Sequence, residues 1–273
     1  MQSKTPYRGR LAPSPTGFLH VGHAVTFWQA QERARARDGI LLLRMEDVDR
    51  DRCRPEFHAA ILEDLAWFGL RWDETPLAQS ERRGLYLAAW KKLRQCGLIY
   101  PCTCTRRDVL SAAGAPHAED EESIYPGTCR PLGLTIPAVE EPAGVNWRFR
   151  VPDGEALEFF DHCAGPQRAI ARVEVGDFVV WRKDDVPAYQ LAVVVDDAAQ
   201  RISEVVRGAD LLRSTFRQLL LYLALDLAPP NFCHFPVVTN SLGNRLAKRD
   251  DALSLRTLRA QGVTPAELRS RYL

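Results

Sequence analysis

Apolar positions along the chain alternate between short strand-like runs and helical stripes. Residues 7–11 read as a short strand, 13–17 as an irregular turn, and 22–37 as a helix halted at Asp38-Gly39. Ile40–Met45 is nearly all apolar, as expected of a strand covered on both faces in a parallel sheet. Pro55 then sits where a first-turn proline belongs, followed by Phe57, Ile61, Leu65 and Phe68 at helical spacing, with Gly69 as the stop. Ser80 is placed to cap a third helix carrying Leu85, Ala89, Trp90 and Leu93 and closed by Gly97. Strands alternating with helices predict an α/β fold built on a doubly wound parallel sheet.

From Pro101 the texture changes. Residues 101–142 are rich in Pro, Gly and Cys and poor in periodicity, so they read as an insertion. Residues 145–151, 157–161 and 177–182 follow as β-like runs, 191–195 is a buried-strand candidate, 210–225 is a helix, and the tail is mostly helical. The expected organisation is a first half of the α/β domain over 1–100, the insertion over 101–142, a second half over 143–240, and a loop with a short helical tail over 241–273.

Composition narrows the class. The chain has 273 residues, 46% hydrophobic and 26% charged, an ordinary balance for a globular protein with a sizeable core. No apolar run reaches the roughly 20 residues of a membrane span, and residues 1–10 lack a signal-peptide stretch, so a cytoplasmic protein is expected. The net charge of +1 gives no argument for nucleic acid by itself; the basic tail (Arg245 to Arg271) and the acidic run Glu119 to Glu122 read first as solvated surface. Seven cysteines in a cytosolic chain argue against disulfides: Cys53, Cys96, Cys163 and Cys233 read as buried small apolar residues. Cys102, Cys104 and Cys129 are different, because they cluster around a Tyr-Pro-Gly turn.

Two segments carry candidate chemistry. In the first, His20 and His23 flank Gly22 where a strand gives way to a helix, a position at which backbone N–H groups and the helix dipole favour an anion. Gly22 allows close approach of a ligand, and imidazole N–H groups donate to phosphate oxygens. The second, Gly243 to Arg249, carries Lys248, an ammonium able to neutralise the same phosphates. Together they resemble the two signatures of class I aminoacyl-tRNA synthetases, usually written HIGH and KMSKS. His20 to His23 matches the first closely; in the second, Arg245 stands at the first lysine, Ala247 at the serine, and Lys248 keeps the second lysine.

Further blocks resemble the glutamyl subgroup of that class: Gly9 to Ser14, Leu43 to Asp49, Ala188 to Asp197 and Val205 to Asp210, in the family's order. The resemblance implies a Rossmann-like catalytic core that uses ATP, with Mg2+ expected, and L-glutamate. A free dicarboxylic amino acid calls for cationic grips at separated points and one anion for its ammonium. Arg10 and Arg207 fit the carboxylates, Glu46 the ammonium, and Ser14 and Tyr189 neutral hydrogen bonds, with Ala12 in the same block.

The tail after the second signature is too short for an anticodon-reading domain, and in this the chain is similar to the short paralogous family, the glutamyl-Q tRNA(Asp) synthetases. That resemblance implies tRNA-independent formation of glutamyl-AMP and transfer of glutamate to queuosine in the anticodon stem-loop of tRNA(Asp), by a monomer. It also implies a structural Zn2+ on Cys102, Cys104, Tyr125 and Cys129, whereas spacing alone leaves zinc and free thiols both open and His117 is an alternative fourth ligand. Two rivals stand beside this reading: a truncated synthetase charging the 3′ end of tRNA(Glu), and a non-catalytic zinc-containing paralogue that binds tRNA.

Overall fold

The computed structural model describes residues 6–105, 107–109, 124–134, 138–238 and 254–273. Strand β1 (Arg8–Leu11) leads into helix α1 (Val21–Arg35), β2 (Ile40–Met45), α2 (Pro55–Phe68), β3 (Leu77–Ala78), α3 (Arg83–Gln95) and β4 (Ile99–Cys102). There follow β5 (Asn146–Phe149), β6 (Ala156–Asp161), β7 (Gly165–Ile170), β8 (Phe178–Trp181), α4 (Tyr189–Ala199), β9 (Glu204–Gly208), α5 (Leu212–Ala224), β10 (Asn231–Phe235), α6 (Leu255–Ala260) and α7 (Pro265–Tyr272).

Five parallel strands form the spine. β1 pairs with β2 and β2 with β3, all parallel, while β9 pairs in parallel with β10. The two sets meet at β1 and β9, where the Ser203 N–H donates to the Arg8 carbonyl at 2.9 Å and Arg10 reaches the Val206 carbonyl. The order β3-β2-β1-β9-β10 is that of a doubly wound sheet, whose winding reverses between β1 and β9. Ligands of such sheets bind outside the carboxyl ends of the strands at that reversal. Here those ends carry Ala12 to Ser14, Glu46 and Arg207.

The remaining strands pair antiparallel among themselves, while β6 joins β10 in parallel. β4, β5 and β8 make a separate sheet, and the β6–β7 hairpin attaches to β10 through Phe232 and Asp161. One apolar cluster packs α1 and α2 on β1 and β2 through Leu11, Phe27, Ile61, Leu65 and Phe68; a second joins α3, α4 and the antiparallel sheet through Trp90, Trp147, Trp181 and Val194.

Four expectations are overturned. Residues 191–195 lie inside α4, where Leu191 to Asp197 are all buried. A helix buried all round reads as an unbroken apolar run, which periodicity cannot separate from a core strand. Ser80 does not cap α3: its backbone N–H and hydroxyl both donate to Asp47, at 2.9 and 2.7 Å, and α3 starts after Arg82 without a side-chain cap. Cys163 and Cys233 form a disulfide, because the β6–β7 turn folds back onto β10 across 70 residues of sequence. Cys96 is exposed and Cys53 half-buried, so neither is the buried apolar residue expected. β3, β4, β7, β9 and β10 had no strand signal of their own.

Candidate active site

The strand-to-helix turn after β1 is built by its two histidines. His20 is the N-cap of α1: its Nδ1 accepts the Gly22 N–H at 3.1 Å, while His23 Nδ1 accepts the His20 N–H at 3.3 Å. A side chain at Gly22 would press on the His20 ring at 3.0 Å, so the glycine is what lets this cap close. With both Nδ1 atoms accepting, Nε2 is the N–H donor on each imidazole. The rings lie 3.8 Å apart, centre to centre, at the positive end of α1.

Lys248, with Gly243, Arg245 and Ala247, lies outside the described residues. The described residues on either side of its segment both border the histidine turn. Val238 comes within 4.0 Å of where a Gly22 side chain would begin, and Ser254 bridges His20, with the Leu255 N–H donating to the Leu19 carbonyl at 2.8 Å.

Beside the turn lies a buried ionic cluster. Arg10, on β1, donates through Nε to Asp197 at 3.2 Å and through Nη1 to the Val206 carbonyl at 3.3 Å. Arg44, on β2, bridges Asp197 at 2.7 Å and Glu46 at 3.0 Å and also reaches the Gln200 side chain. Burial raises both carboxylates, but Arg44 and Arg10 outweigh it at Asp197, which is held below the ordinary range. At Glu46 burial wins and the carboxyl is pushed up.

Arg207, at the end of β9, is 5% exposed and among the described residues meets only neutral acceptors. Its Nη2 donates to Thr215 and Gln218, each at 2.8 Å, its Nε to His234 Nε2 at 3.0 Å, and its Nη1 to the Tyr189 hydroxyl at 3.4 Å. His234 is itself fixed by Asp161 at Nδ1, 2.5 Å away. Burial, then the Arg207 charge, lowers its pKa to about 4, so the ring is neutral.

The structure thus links Arg10 to Glu46 through Asp197 and Arg44, and bonds Arg207 to Tyr189, whose phenol lies within reach of the charges of Arg207, Glu46 and Arg10. Ala12 and Ser14 sit in the turn after β1, and the Pro13 carbonyl between them accepts the Glu46 N–H at 2.9 Å. Sequence reasoning missed Arg44, Asp197, Thr215, Gln218 and His234. Arg44 and Asp197 fall inside blocks already singled out, but nothing in their spacing says that they touch.

The cysteine group also assembles. Cys102 ends β4, and its sulfur lies with those of Cys104 and Cys129 within 4.8 Å of one another. The Tyr125 phenol is 3.4 Å from both Cys102 and Cys104 and accepts the Cys129 N–H at 2.8 Å. Cys104 and Cys129 are 3.5 Å apart, too far for a bond between sulfurs and close to the about 3.8 Å edge of a tetrahedron with metal–sulfur bonds of 2.3 Å. His117 lies outside the described residues.

Fold and site together define a nucleotide-dependent α/β ligase, and the chain belongs to the family of tRNA synthetases class I (E and Q), catalytic domain, whose pattern matches residues 7–272. It is therefore an aminoacyl-tRNA-synthetase-like enzyme. Among its relatives, the glutamyl-Q tRNA(Asp) synthetase of Nitratidesulfovibrio vulgaris is 47% identical over 96% of this chain and 83% of its own length. The enzyme of that name from Symbiobacterium thermophilum is 46% identical over 94% and 82%. The glutamate-tRNA synthetase of Elizabethkingia anophelis superimposes with a TM-score of 0.76 at 27% identity, covering 90% of this chain and 53% of that one. The chain thus spans about half the length of that solved relative.

Proposed function

We propose that this enzyme activates L-glutamate with ATP, as its Mg2+ complex, to glutamyl-AMP and transfers the glutamyl group to queuosine in the anticodon loop of tRNA(Asp). The relatives that match nearly the whole chain support the acceptor. The observation that carries the amino acid is the charge of the buried cluster: Arg10 and Arg44 are bonded to the carboxylates of Asp197 and Glu46, and Arg207 has only neutral hydrogen-bond partners among the described residues, so three guanidinium groups stand against two carboxylates. A group with one ammonium and two carboxylates supplies the missing negative charge.

In this reading Arg10 and Arg207 each hold a carboxylate, Glu46 meets the ammonium, and Tyr189 and Ser14 add neutral hydrogen bonds, with Ala12 alongside. The α-carboxylate attacks the α-phosphorus of ATP and pyrophosphate leaves. His20 and His23 donate through Nε2–H to the phosphate oxygens, Gly22 allows their approach, and Lys248 neutralises the departing pyrophosphate. A hydroxyl of the queuosine cyclopentene ring then attacks the glutamyl carbonyl, and AMP leaves. An unstacked anticodon base suits such presentation, and basic residues of α6 and α7 supply salt-dependent phosphate contacts.

Cys102, Cys104, Cys129 and Tyr125 would hold a zinc ion, which would tie the loop after β4 to the antiparallel sheet; its role is structural. Arg148, whose Nε donates to Cys102 Sγ at 3.2 Å and whose guanidinium stacks 3.8 Å from the Tyr125 ring centre, offsets the negative charge of such a site.

Glutamate-dependent exchange of pyrophosphate into ATP, without RNA, tests the first step. Exchange is expected, and it should be lost in His23→Ala and Lys248→Ala. Labelled glutamate should then appear on tRNA(Asp) carrying queuosine and not on its unmodified transcript. Labelling of tRNA(Glu) would favour a truncated charging enzyme, and absence of exchange a non-catalytic paralogue.

A further inference from the structure

The partners of Arg207 are arranged with a directionality that simple packing does not require. A guanidinium has five N–H donors and no acceptor, so every fixed neighbour must accept. Thr215 and Gln218 offer oxygens. His234 is the exception, because an imidazole nitrogen accepts only in one of two tautomers. Asp161 settles which. Its Oδ1 accepts the backbone N–H groups of Cys163 at 2.9 Å, Ala164 at 2.8 Å and His234 at 3.1 Å, so the carboxylate is anchored by its own turn. Its Oδ2 faces His234 Nδ1 at 2.5 Å. These hydrogen bonds hold Asp161 below the ordinary carboxylate range despite its burial, so it is ionised and can only accept. The proton therefore sits on Nδ1, and Nε2 presents its lone pair to Arg207 and to the Thr215 hydroxyl 3.2 Å away.

We infer that Asp161 and His234 form a positioning pair for Arg207, in which Asp161 fixes the imidazole tautomer and His234 orients the guanidinium toward the substrate carboxylate. The pair rests on the glutamate-binding reading above. It also explains how a buried cation persists before substrate arrives. Asp161 supplies the counter-charge one ring away, stabilising Arg207 without forming an ion pair that substrate would have to displace. Four of the five N–H groups are committed to His234, Thr215, Gln218 and Tyr189. The fifth, on Nη1, has no acceptor among the described residues and is the one aimed by this arrangement.

Asp161→Asn keeps shape and backbone acceptor but turns Oδ2 into an amide donor. Nδ1 must then accept, the ring proton moves to Nε2, and a donor faces a donor at Arg207. The expected result in pyrophosphate exchange is a KM for glutamate raised about tenfold or more, with KM for ATP within about twofold and kcat less affected than the glutamate KM. Nitrogen NMR of the His234 ring should show the proton on Nδ1 in the native enzyme and on Nε2 in the variant. As a second pair, His234→Gln, which retains an acceptor near Nε2, should recover most of the glutamate affinity that His234→Leu loses; this pair decides the matter if Asp161→Asn does not fold. A folded Asp161→Asn with the proton moved to Nε2 and native glutamate KM would overturn the inference, as would equal KM values for the two His234 variants. Arg207→Lys separates the two layers. If it raises the glutamate KM while Asp161→Asn does not, only the positioning pair fails; if it leaves that KM unchanged, the glutamate reading of Arg207 fails first.

Discussion

Arg10→Lys is the most direct probe of the amino-acid pocket. Arg10 is 4% exposed, and its five N–H groups are unequally used: Nε is spent on Asp197 and one Nη1 hydrogen on the Val206 carbonyl. Three N–H groups across Nη1 and Nη2 have no acceptor among the described residues, and two of them can grip one carboxylate in parallel. Lysine keeps the charge but offers no fork, so one charge-assisted hydrogen bond of the pair is lost, about 1.5–3 kcal/mol. The glutamate KM should therefore rise ~10–150-fold, with KM for ATP unchanged. Folding should survive, because Asp197 keeps Arg44 at 2.7 Å. Steady-state pyrophosphate exchange at saturating ATP reads the first quantity and thermal unfolding the second. A folded Arg10→Lys enzyme within threefold of the native glutamate KM would refute the assignment of Arg10 to a carboxylate.

Other expectations follow from the same contacts. Cys104→Ser should bring zinc well below one ion per chain in protein purified without chelator, with glutamate activation changed far less than metal content; full retention of zinc would remove Cys104 from the ligand set. Replacing both Cys163 and Cys233 by serine should lower the unfolding free energy by about 4 kcal/mol in urea without reductant, since the bond closes a loop of 70 residues. Native protein with reductant should match that variant, and identical midpoints in all three samples would count against the bond. Glu204 accepts Arg33 at 2.6 and 2.7 Å and the Tyr7 hydroxyl at 2.8 Å, and although burial raises it, these partners hold it below its ordinary value of 4.5. Its stabilisation is thus complete above pH 4.5 and lost as pH falls through the depressed native value. Glu204→Gln should cost about 1–3 kcal/mol at pH 7 and nothing below that window, as read by urea unfolding across pH.

How much of this could be read from the chain depended on whether a signal was local. α1, β2 and α2 were legible because caps, stops and apolar spacing sit within one element, as Pro55 and Gly69 do around α2. The histidine turn was legible for the same reason, since His20, Gly22 and His23 form their geometry within four residues. β9 and β10 were not, because their strand character is a pairing between segments far apart in sequence. The run in α4 was misread because complete burial erases the contrast between faces. Cys163 and Cys233 were misread because nothing near either cysteine announces the other. Arg10 and Arg207, the proposed carboxylate grips, were singled out through family-like blocks, whereas Asp161 and His234 were not: the first lies at the end of a hairpin strand and the second on a parallel strand, and only folding makes them neighbours.

That division explains the selectivity the pocket can exert. A donor-only guanidinium rejects an amide less by excluding its bulk than by facing its NH2 group with N–H bonds of its own. Glutamine would leave one N–H of the Arg10 fork opposed to a donor, and it would bring no negative charge to an Arg207 whose bonded partners are all neutral. Polar sites that lose a matched hydrogen bond in this way discriminate by factors on the order of 10⁴. Such discrimination requires that neither arginine be able to swing away. Asp197 fixes Arg10 through Nε, as His234 fixes Arg207 through Nε; Arg10 keeps three N–H groups at its tip and Arg207 one, on Nη1, without an acceptor among the described residues. In the proposed pocket, specificity for a dicarboxylate therefore rests on residues that need not touch the substrate.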